Sequence, residues 1–229
     1  MKTLPIYTNV WISSFAMAFA GLGDVLLYLI LPIYGVKMGF TLFWIGVFLA
    51  INRLVRIPAY GIISYTLVSI GYKKSMIISS IMAILTTASY GYVTNIIIFL
   101  IARILWGLSF SLLRLSSLAY ATQNTLYQGK MLGISVGIKT LGAISAIYMG
   151  EILLKSVDIQ SLFFIMSVAS ICALIFSIYL PEIEKDKIEV PVLQTLKLDS
   201  INQIAFITSF IVDGVLIVSL SKILLNFRT

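Results

Sequence analysis

Residues 101–150 constrain the fold of this chain most strongly. They contain two apolar segments on either side of a short polar connection, residues 123–130. Each segment is long enough to cross the hydrocarbon core of a bilayer as an α-helix, which needs about 20 mostly apolar residues. The stretch therefore predicts two consecutive membrane-spanning helices.

The composition extends this interpretation to the whole chain. Of the 229 residues, 60% are hydrophobic and 11% are charged, and the mean hydropathy is +1.05. A soluble core does not need so much apolar sequence, so we predict an all-α protein, a polytopic transmembrane helix bundle. The chain has no histidine and a single cysteine, Cys172, so we expect no metal site, no cofactor and no intrachain disulfide.

The apolar segments and the polar stretches between them define seven predicted helices. They cover residues 10–34, 42–65, 75–92, 96–121, 130–154, 161–180 and 204–225. Residues 66–74 read as a loop, and the mixed charges after Pro181 read as a solvated linker.

The basic residues between the helices predict the orientation. If the helices alternate in direction, most loop lysines fall on one side of the membrane, and the positive-inside rule makes that side cytoplasmic. The amino terminus is then cytoplasmic in a cell membrane, plasma or inner, and the net charge of +7 reflects topology rather than nucleic-acid binding. The cytoplasmic set is Lys2, Lys73, Lys74, Lys130, Lys185, Lys187 and Lys197, against Lys37 and Lys155 outside.

Ionisable residues inside the predicted helices are the candidate functional residues. Such residues are expensive in hydrocarbon and usually mark a substrate or proton pathway. Their sum is cationic, and a positive cavity concentrates anions, which favours an anionic solute. The alternative is that the cations pair with acids on helices beyond these. The candidates are Asp24, Arg53, Arg103, Arg114, Lys139 and Asp213.

Three motifs resemble the major facilitator superfamily of secondary transporters. Arg103-x-x-x-Gly107 resembles the fourth-helix signature, and Gly71-Tyr72-Lys73-Lys74 resembles the end of the cytoplasmic loop between helices 2 and 3. The fifth-helix glycine motif is matched by Gly133, Gly142 and Gly150. Ala146-Ile147 stand where the antiporters of the family have Gly-Pro, which argues against an antiporter.

The resemblance implies a fold and an activity. Residues 1–180 would form the six-helix amino-terminal bundle, residues 181–202 a cytoplasmic linker, and residues 203–229 the first helix of an incomplete carboxy-terminal bundle. The activity would be alternating-access transport of a small solute across the lipid bilayer, without enzymatic chemistry. Arg103 would take part in coupling to an ion such as the proton, or in binding anions.

Two other hypotheses remain open. Gly21-Leu22-Gly23-Asp24 matches the Gly-x-Gly-Asp of intramembrane aspartyl proteases, with Asp213 as the second aspartate of a proton-sharing pair. Alternatively, the chain is a truncated or half-length transporter that needs a partner, either a second half or another copy of itself.

Overall fold

The computed structural model of the chain describes residues 6–123 and 125–183, and its regular elements in these ranges are all helices. This confirms the predicted all-α helix bundle. The predicted linker, the seventh helix and Asp213 lie outside the described residues. The helices are α1 Ile6–Ala20, α2 Leu22–Tyr34, α3 Leu42–Ile70, α4 Tyr72–Tyr92, α5 Ile96–Thr122, α6 Gln128–Leu153 and α7 Ile159–Tyr179, with a 3-10 turn at Thr125–Tyr127 before α6.

Within the described residues, five candidate membrane spans meet the length and apolarity that a bilayer requires. α1 and α2 together form the first, and α4 to α7 form the other four. α3 carries Arg53 and Arg56; its 29 residues would extend about 43 Å, more than a hydrocarbon core. Because the helices alternate in direction, with α3 also crossing the bundle, Ile6 and Tyr179 lie at one end, here the first end. Tyr34 and Ile96 lie at the other, the second end.

The first span is longer and less regular than predicted. It begins at Ile6 rather than at residue 10, and a turn at Gly21 divides it into α1 and α2. The backbone hydrogen bonds from Gly21 N to Met17 O and from Val25 N to Gly21 O, each 3.1 Å, continue through the break. Glycine carries no side chain to stiffen this position, so the span can bend there beside Asp24.

The predicted loop over residues 66–74 is wrong. α3 continues to Ile70 and α4 begins at Tyr72, so Gly71 alone joins the two helices. Gly71 has φ +93°, a backbone conformation that other residues rarely adopt. Polarity suggested a loop, but the junction needs only one residue that can reverse the chain. Lys73 and Lys74 consequently lie in the first turn of α4.

Small polar residues connect the packed helices. α4 packs against both α5 and α7, while α1 packs against α6 and α7. Ser80 and Ser177 hydroxyls share a 2.9 Å hydrogen bond between α4 and α7, and Ser109 Oγ donates to the Ser79 carbonyl at 2.7 Å. In a membrane, small residues let backbones approach, and interhelical hydrogen bonds add to the packing.

A cluster of aromatic rings fills the core towards the second end. Phe48 and Phe99 have ring centroids 4.6 Å apart, and Phe40 lies 5.0 Å from Phe99. Tyr90 extends the cluster to α4, with its ring 5.5 Å from that of Phe99. All four side chains are buried. They close the bundle directly beside the charged residues described next.

Candidate functional site

Asp24 on α2 and Arg103 on α5 form an ion pair inside the bundle. Arg103 Nη1 donates to Asp24 Oδ1 at 2.5 Å, and the side chains are 0% and 10% exposed, respectively. Arg103 Nε also donates to the carbonyl oxygen of Phe48 on α3 at 2.9 Å. The guanidinium therefore ties three helices together, as buried charges require both an ionic partner and hydrogen bonds.

Asn52 and Arg56 on α3 complete the shell around the carboxylate. Asn52 Nδ2 donates to Asp24 Oδ1 at 3.1 Å, and the Asn52 side-chain oxygen accepts from Arg56 Nε and Nη2 at 3.2 and 2.9 Å. Arg56 Nη2 also lies 3.9 Å from Asp24 Oδ2. The carboxylate of Asp24 thus lies between two arginines. The buried Asn52 side chain hydrogen-bonds both to this carboxylate and to Arg56.

Tyrosine rings surround these charges. The guanidinium carbons of Arg53 and Arg103 each lie 5.2 Å from the centroid of the Tyr28 ring, within the range of cation–π attraction. Tyr90 Oη lies 3.4 Å from Arg103 Nη1. Arg103 Nη2 is buried without a hydrogen-bond partner among the described residues. We call Asp24, Tyr28, Asn52, Arg53, Arg56, Tyr90 and Arg103 the ion cluster.

Gly107, the glycine of the Arg-x-x-x-Gly motif, allows the close helix contact that places Arg103 in the ion cluster. A Cβ at Gly107 would lie 2.9 Å from the backbone oxygen of Asn52. Its absence lets α3 approach α5 closely, one turn from Arg103. The close approach positions the Phe48 carbonyl and the Asn52 side chain for Arg103 and Asp24. Gly23 has the same function on α2, where a Cβ would collide with the Thr87 side chain of α4.

Arg114 and Lys139 lie apart from the ion cluster. Arg103 and Arg114 are 11 residues, about three turns, apart on α5 and therefore share a face, yet Arg103 is fully buried and Arg114 is exposed. At Arg103 the face is covered by Asp24 of α2 and by the backbone of Phe48 of α3. Lys139 is half-buried, close enough to Arg114 for the two charges to interact.

The glycines of the fifth-helix motif have two different environments. A Cβ at Gly142 would lie 2.8 Å from Ala18 Cβ of α1, and one at Gly150 would collide with Leu26 of α2. Gly133, by contrast, has no atom of the described residues within 4 Å of the position a Cβ would take. The second half of α6 therefore packs closely on the first span, whereas Gly133 lies on a face that the described helices leave exposed.

Four members of the ion cluster were not predicted from the sequence. Asn52, Tyr28 and Tyr90 are uncharged, and such residues also occur in membrane helices where they only pack. Nothing in their spacing along the chain indicates a functional site. Arg56 lies one turn from Asn52 and reaches Asp24. The available signal was that Asn52 and Arg56 share a face of α3.

Other features of the described residues offer less chemistry. An apolar groove of about 360 Å³ lies between α1 and α6, lined by Trp11, Phe15, Ile134 and Leu141 among others. It contains no residue of the ion cluster. No group of three histidine, cysteine, aspartate or glutamate side chains is placed to hold a metal ion within residues 6–123 and 125–183.

Apolar membrane-length helices around a buried ion cluster define a multi-pass integral membrane protein. The sequence model of the Major Facilitator Superfamily matches residues 13–227. The chain belongs to this superfamily and is a membrane transporter of the major facilitator type, acting on a small solute across the lipid bilayer. Proteins of this family are transporters rather than enzymes. No curated protein matches the chain.

Proposed function

We propose that the chain takes part in secondary active transport of a small anion by alternating access, with the ion cluster as the proton-coupled site. The observation that carries the proposal is the single carboxylate of Asp24 between the guanidinium groups of Arg103 and Arg56. The described cluster has one acid and three arginines, so its formal charge is positive. A positive, water-poor site favours an anion as the counter-charge.

The same arrangement supports coupling between proton and anion. When Asp24 takes up a proton, its carboxylate no longer neutralises Arg103 and Arg56. Their N–H groups are then available to an anion, and the unpartnered Nη2 of Arg103 adds a donor. The anion restores the charge balance that the proton disturbed. Proton and anion therefore bind to the same state of the transporter.

Alternating access requires a second bundle against which the first can rock. We propose that residues 1–180 form one such bundle, that residues 181–202 are a cytoplasmic linker, and that residues 203–229 begin the next bundle with Asp213. The remaining helices would come from a second half or from another copy of the chain. In this arrangement the first end of the bundle faces the cytoplasm of a plasma or inner membrane.

Uptake into proteoliposomes tests the proposed function. The full chain is reconstituted, and the entry of labelled inorganic phosphate and labelled succinate is followed at several external pH values. We expect uptake that increases with external acidity and is abolished in Arg103→Gln. In Asp24→Asn the pH dependence should disappear, because the asparagine cannot exchange a proton.

Asp158→Asn is the matched control for this experiment. Asp158 is an exposed helix cap outside the membrane spans, and asparagine caps equally well. Its uptake should equal that of the wild type. Uptake of both anions at the level of protein-free liposomes would contradict transport by this chain alone. An unchanged pH profile in Asp24→Asn would contradict the coupling.

The ion cluster gives no support to the protease hypothesis. Intramembrane aspartyl proteases need two carboxyl groups that share a proton. Asp24 instead has two arginines and an asparagine around it, and Asp213 lies outside the described residues.

A further inference from the structure

Arg114 and Lys139 face each other across the contact between α5 and α6. The hydroxyls of Ser117 and Ser135 lie 3.5 Å apart, which fixes the register of the two antiparallel helices. Ala121 and Met131 pack in one cluster about one turn further towards the first end. Moving one turn in the opposite direction along both helices brings Arg114 opposite Lys139.

This pairing of two cations is unfavourable by itself. Like charges on adjacent helices repel, and the two groups are close enough to interact. Arg114 lies eight residues, about 12 Å, before the end of α5 at Thr122, well inside a membrane-spanning helix. A cation at such a depth is usually paired or faces a water-filled interior.

The described residues supply no acid for this pair. Asp24 is engaged by Arg103 and Arg56, and Glu182 lies at the first end against Gly71. Glu151 and Asp158 lie at the second end of the bundle, because α6 runs more than three turns from Lys139 before reaching Glu151. A compensating negative charge therefore has to come from outside residues 6–123 and 125–183.

We propose that Arg114 and Lys139 form an oxyanion-binding site, separate from the ion cluster, for a carboxylate or phosphate group. The guanidinium fork binds two oxygens of such a group side by side, and the lysine ammonium adds a point charge from the facing helix. Arg114 also lies one turn from Phe110, whose ring centroid is 3.7 Å from the guanidinium carbon of Arg56. The two sites are thus neighbours along one face of α5.

The oxyanion can belong to a dissolved anion or to the head group of a phospholipid. The test uses the full chain, purified in phospholipid-free detergent, and follows its thermal unfolding by tryptophan fluorescence. Inorganic phosphate and succinate are titrated against potassium chloride at matched ionic strength. In parallel, the protein is placed in nanodiscs of phosphatidylglycerol or of phosphatidylcholine.

Arg114→Gln, Lys139→Gln and the double variant are compared with Lys155→Gln, which removes a loop lysine instead. In the wild type and Lys155→Gln we expect phosphate or succinate to raise the unfolding temperature. In each single variant the midpoint concentration should increase about tenfold or more, because a charge-assisted hydrogen bond is lost. Without added anion, both single variants should unfold no earlier than the wild type, since the repulsion between the two cations is removed.

The outcomes separate the two sources. A shift with the dissolved anions in lipid-free detergent, absent in the double variant, identifies a site for a soluble anion. A variant-dependent shift between phosphatidylglycerol and phosphatidylcholine alone identifies a head-group site. Equal responses in the wild type and the double variant in every arm would overturn the proposal. A response that appears only after Asp213→Asn would also overturn it, because the chain's own carboxylate would then fill the site.

The proposed oxyanion site and the proposed transport are tested independently of each other. The thermal shift requires binding only, so it persists even if proteoliposomes show no uptake. Conversely, uptake that depends on Asp24 and Arg103 but is unchanged in the double variant, together with no thermal shift, would leave the proposed function intact and remove this site.

Discussion

The carboxylate of Asp24 accepts its shortest hydrogen bond from Arg103, at 2.5 Å, in a part of the bundle where Arg103 has no exposed surface. Two charges on helices that are distant in sequence are therefore held together away from water. Such a pair contributes little net stability compared with apolar residues, but removal of one partner leaves an uncompensated buried charge. This asymmetry determines how single and double variants should behave.

We expect Arg103→Gln to lower the free energy of unfolding by about 3–5 kcal/mol, because Asp24 loses its main counter-charge. The double variant Asp24→Asn, Arg103→Gln should recover much of this loss, since neither position then carries a charge. Denaturant unfolding in detergent measures all four corners of the cycle. If the two single effects simply add in the double variant, the two residues are not coupled in the folded protein.

Gly107→Ala should separate α3 from α5. The new Cβ would meet the backbone oxygen of Asn52 at 2.9 Å, and a backbone atom cannot move aside as a side chain can. We expect Gly107→Ala to lower the free energy of unfolding by about 1–3 kcal/mol, as at other overpacked sites. The matched control is Gly133→Ala, which adds the same methyl group to an open position.

Gly133→Ala should raise the free energy of unfolding by about 0.4–1 kcal/mol, because alanine restricts the conformations of the unfolded chain. Thermal unfolding of both variants in one detergent provides the comparison. Equal stability of the two alanine variants would show that the close approach of α3 and α5 does not depend on Gly107.

The Asp158 cap should make the free energy of unfolding decrease at low pH. Hydrogen bonds from the Ser161 hydroxyl, at 2.7 Å, and from the Ser161 amide hold the pKa of the Asp158 carboxyl below its usual value. Because the pKa of the Asp158 carboxyl is lower in the folded than in the unfolded protein, its ionised form stabilises the fold at pH values above the unfolded pKa, about 4. This contribution is lost as the pH falls through the folded pKa.

The measurement is the difference in unfolding temperature between the wild type and Asp158→Asn as the pH is lowered. The difference should shrink below about pH 4, where the aspartate becomes protonated. Ser161→Ala removes the hydroxyl donor and should move the transition towards higher pH. A difference that stays constant with pH would show that this cap does not titrate in the folded protein.

The proposed orientation predicts which loops a membrane-impermeant thiol reagent can reach. In a Cys172→Ala background, Lys37→Cys at the second end should react from outside intact cells. Lys130→Cys at the first end should react only after permeabilisation. Both lysines are exposed, so the difference reports on the membrane and not on burial. The reverse pattern would place the amino terminus outside.

Much of the fold could be predicted because hydrocarbon imposes one rule on every span: a long apolar stretch has to be a helix. The starts of α3 and α5 and the ends of α2 and α4 fall at the predicted residues. The junction at Gly71 was missed because polar, basic residues indicate a loop by composition. The first turn of a helix at a membrane surface tolerates the same residues, which is where Lys73 and Lys74 lie.

The site could be predicted only in part, for a geometric reason. A charge within an apolar helix is visible in the sequence, so Asp24 and Arg103 were identified. Its partners depend on which helices are neighbours and on their relative rotation, and periodicity along one helix gives neither. Asn52 belongs to the cluster because α3 approaches α5 at Gly107, a relationship between residues 55 positions apart. Arg103 and Arg114 share a face, but only the three-dimensional arrangement decides which of the two is covered.

The single-residue junction at Gly71 limits how α3 can move. α3 carries Asn52 and Arg56, and α4, immediately after the junction, packs against α5 and α7. With no slack between them, α3 cannot slide along its own axis without pulling α4 with it. A displacement of α3 that opens the carboxylate of Asp24 is therefore a tilt, with Gly71 as the pivot and the largest movement at the opposite end of α3.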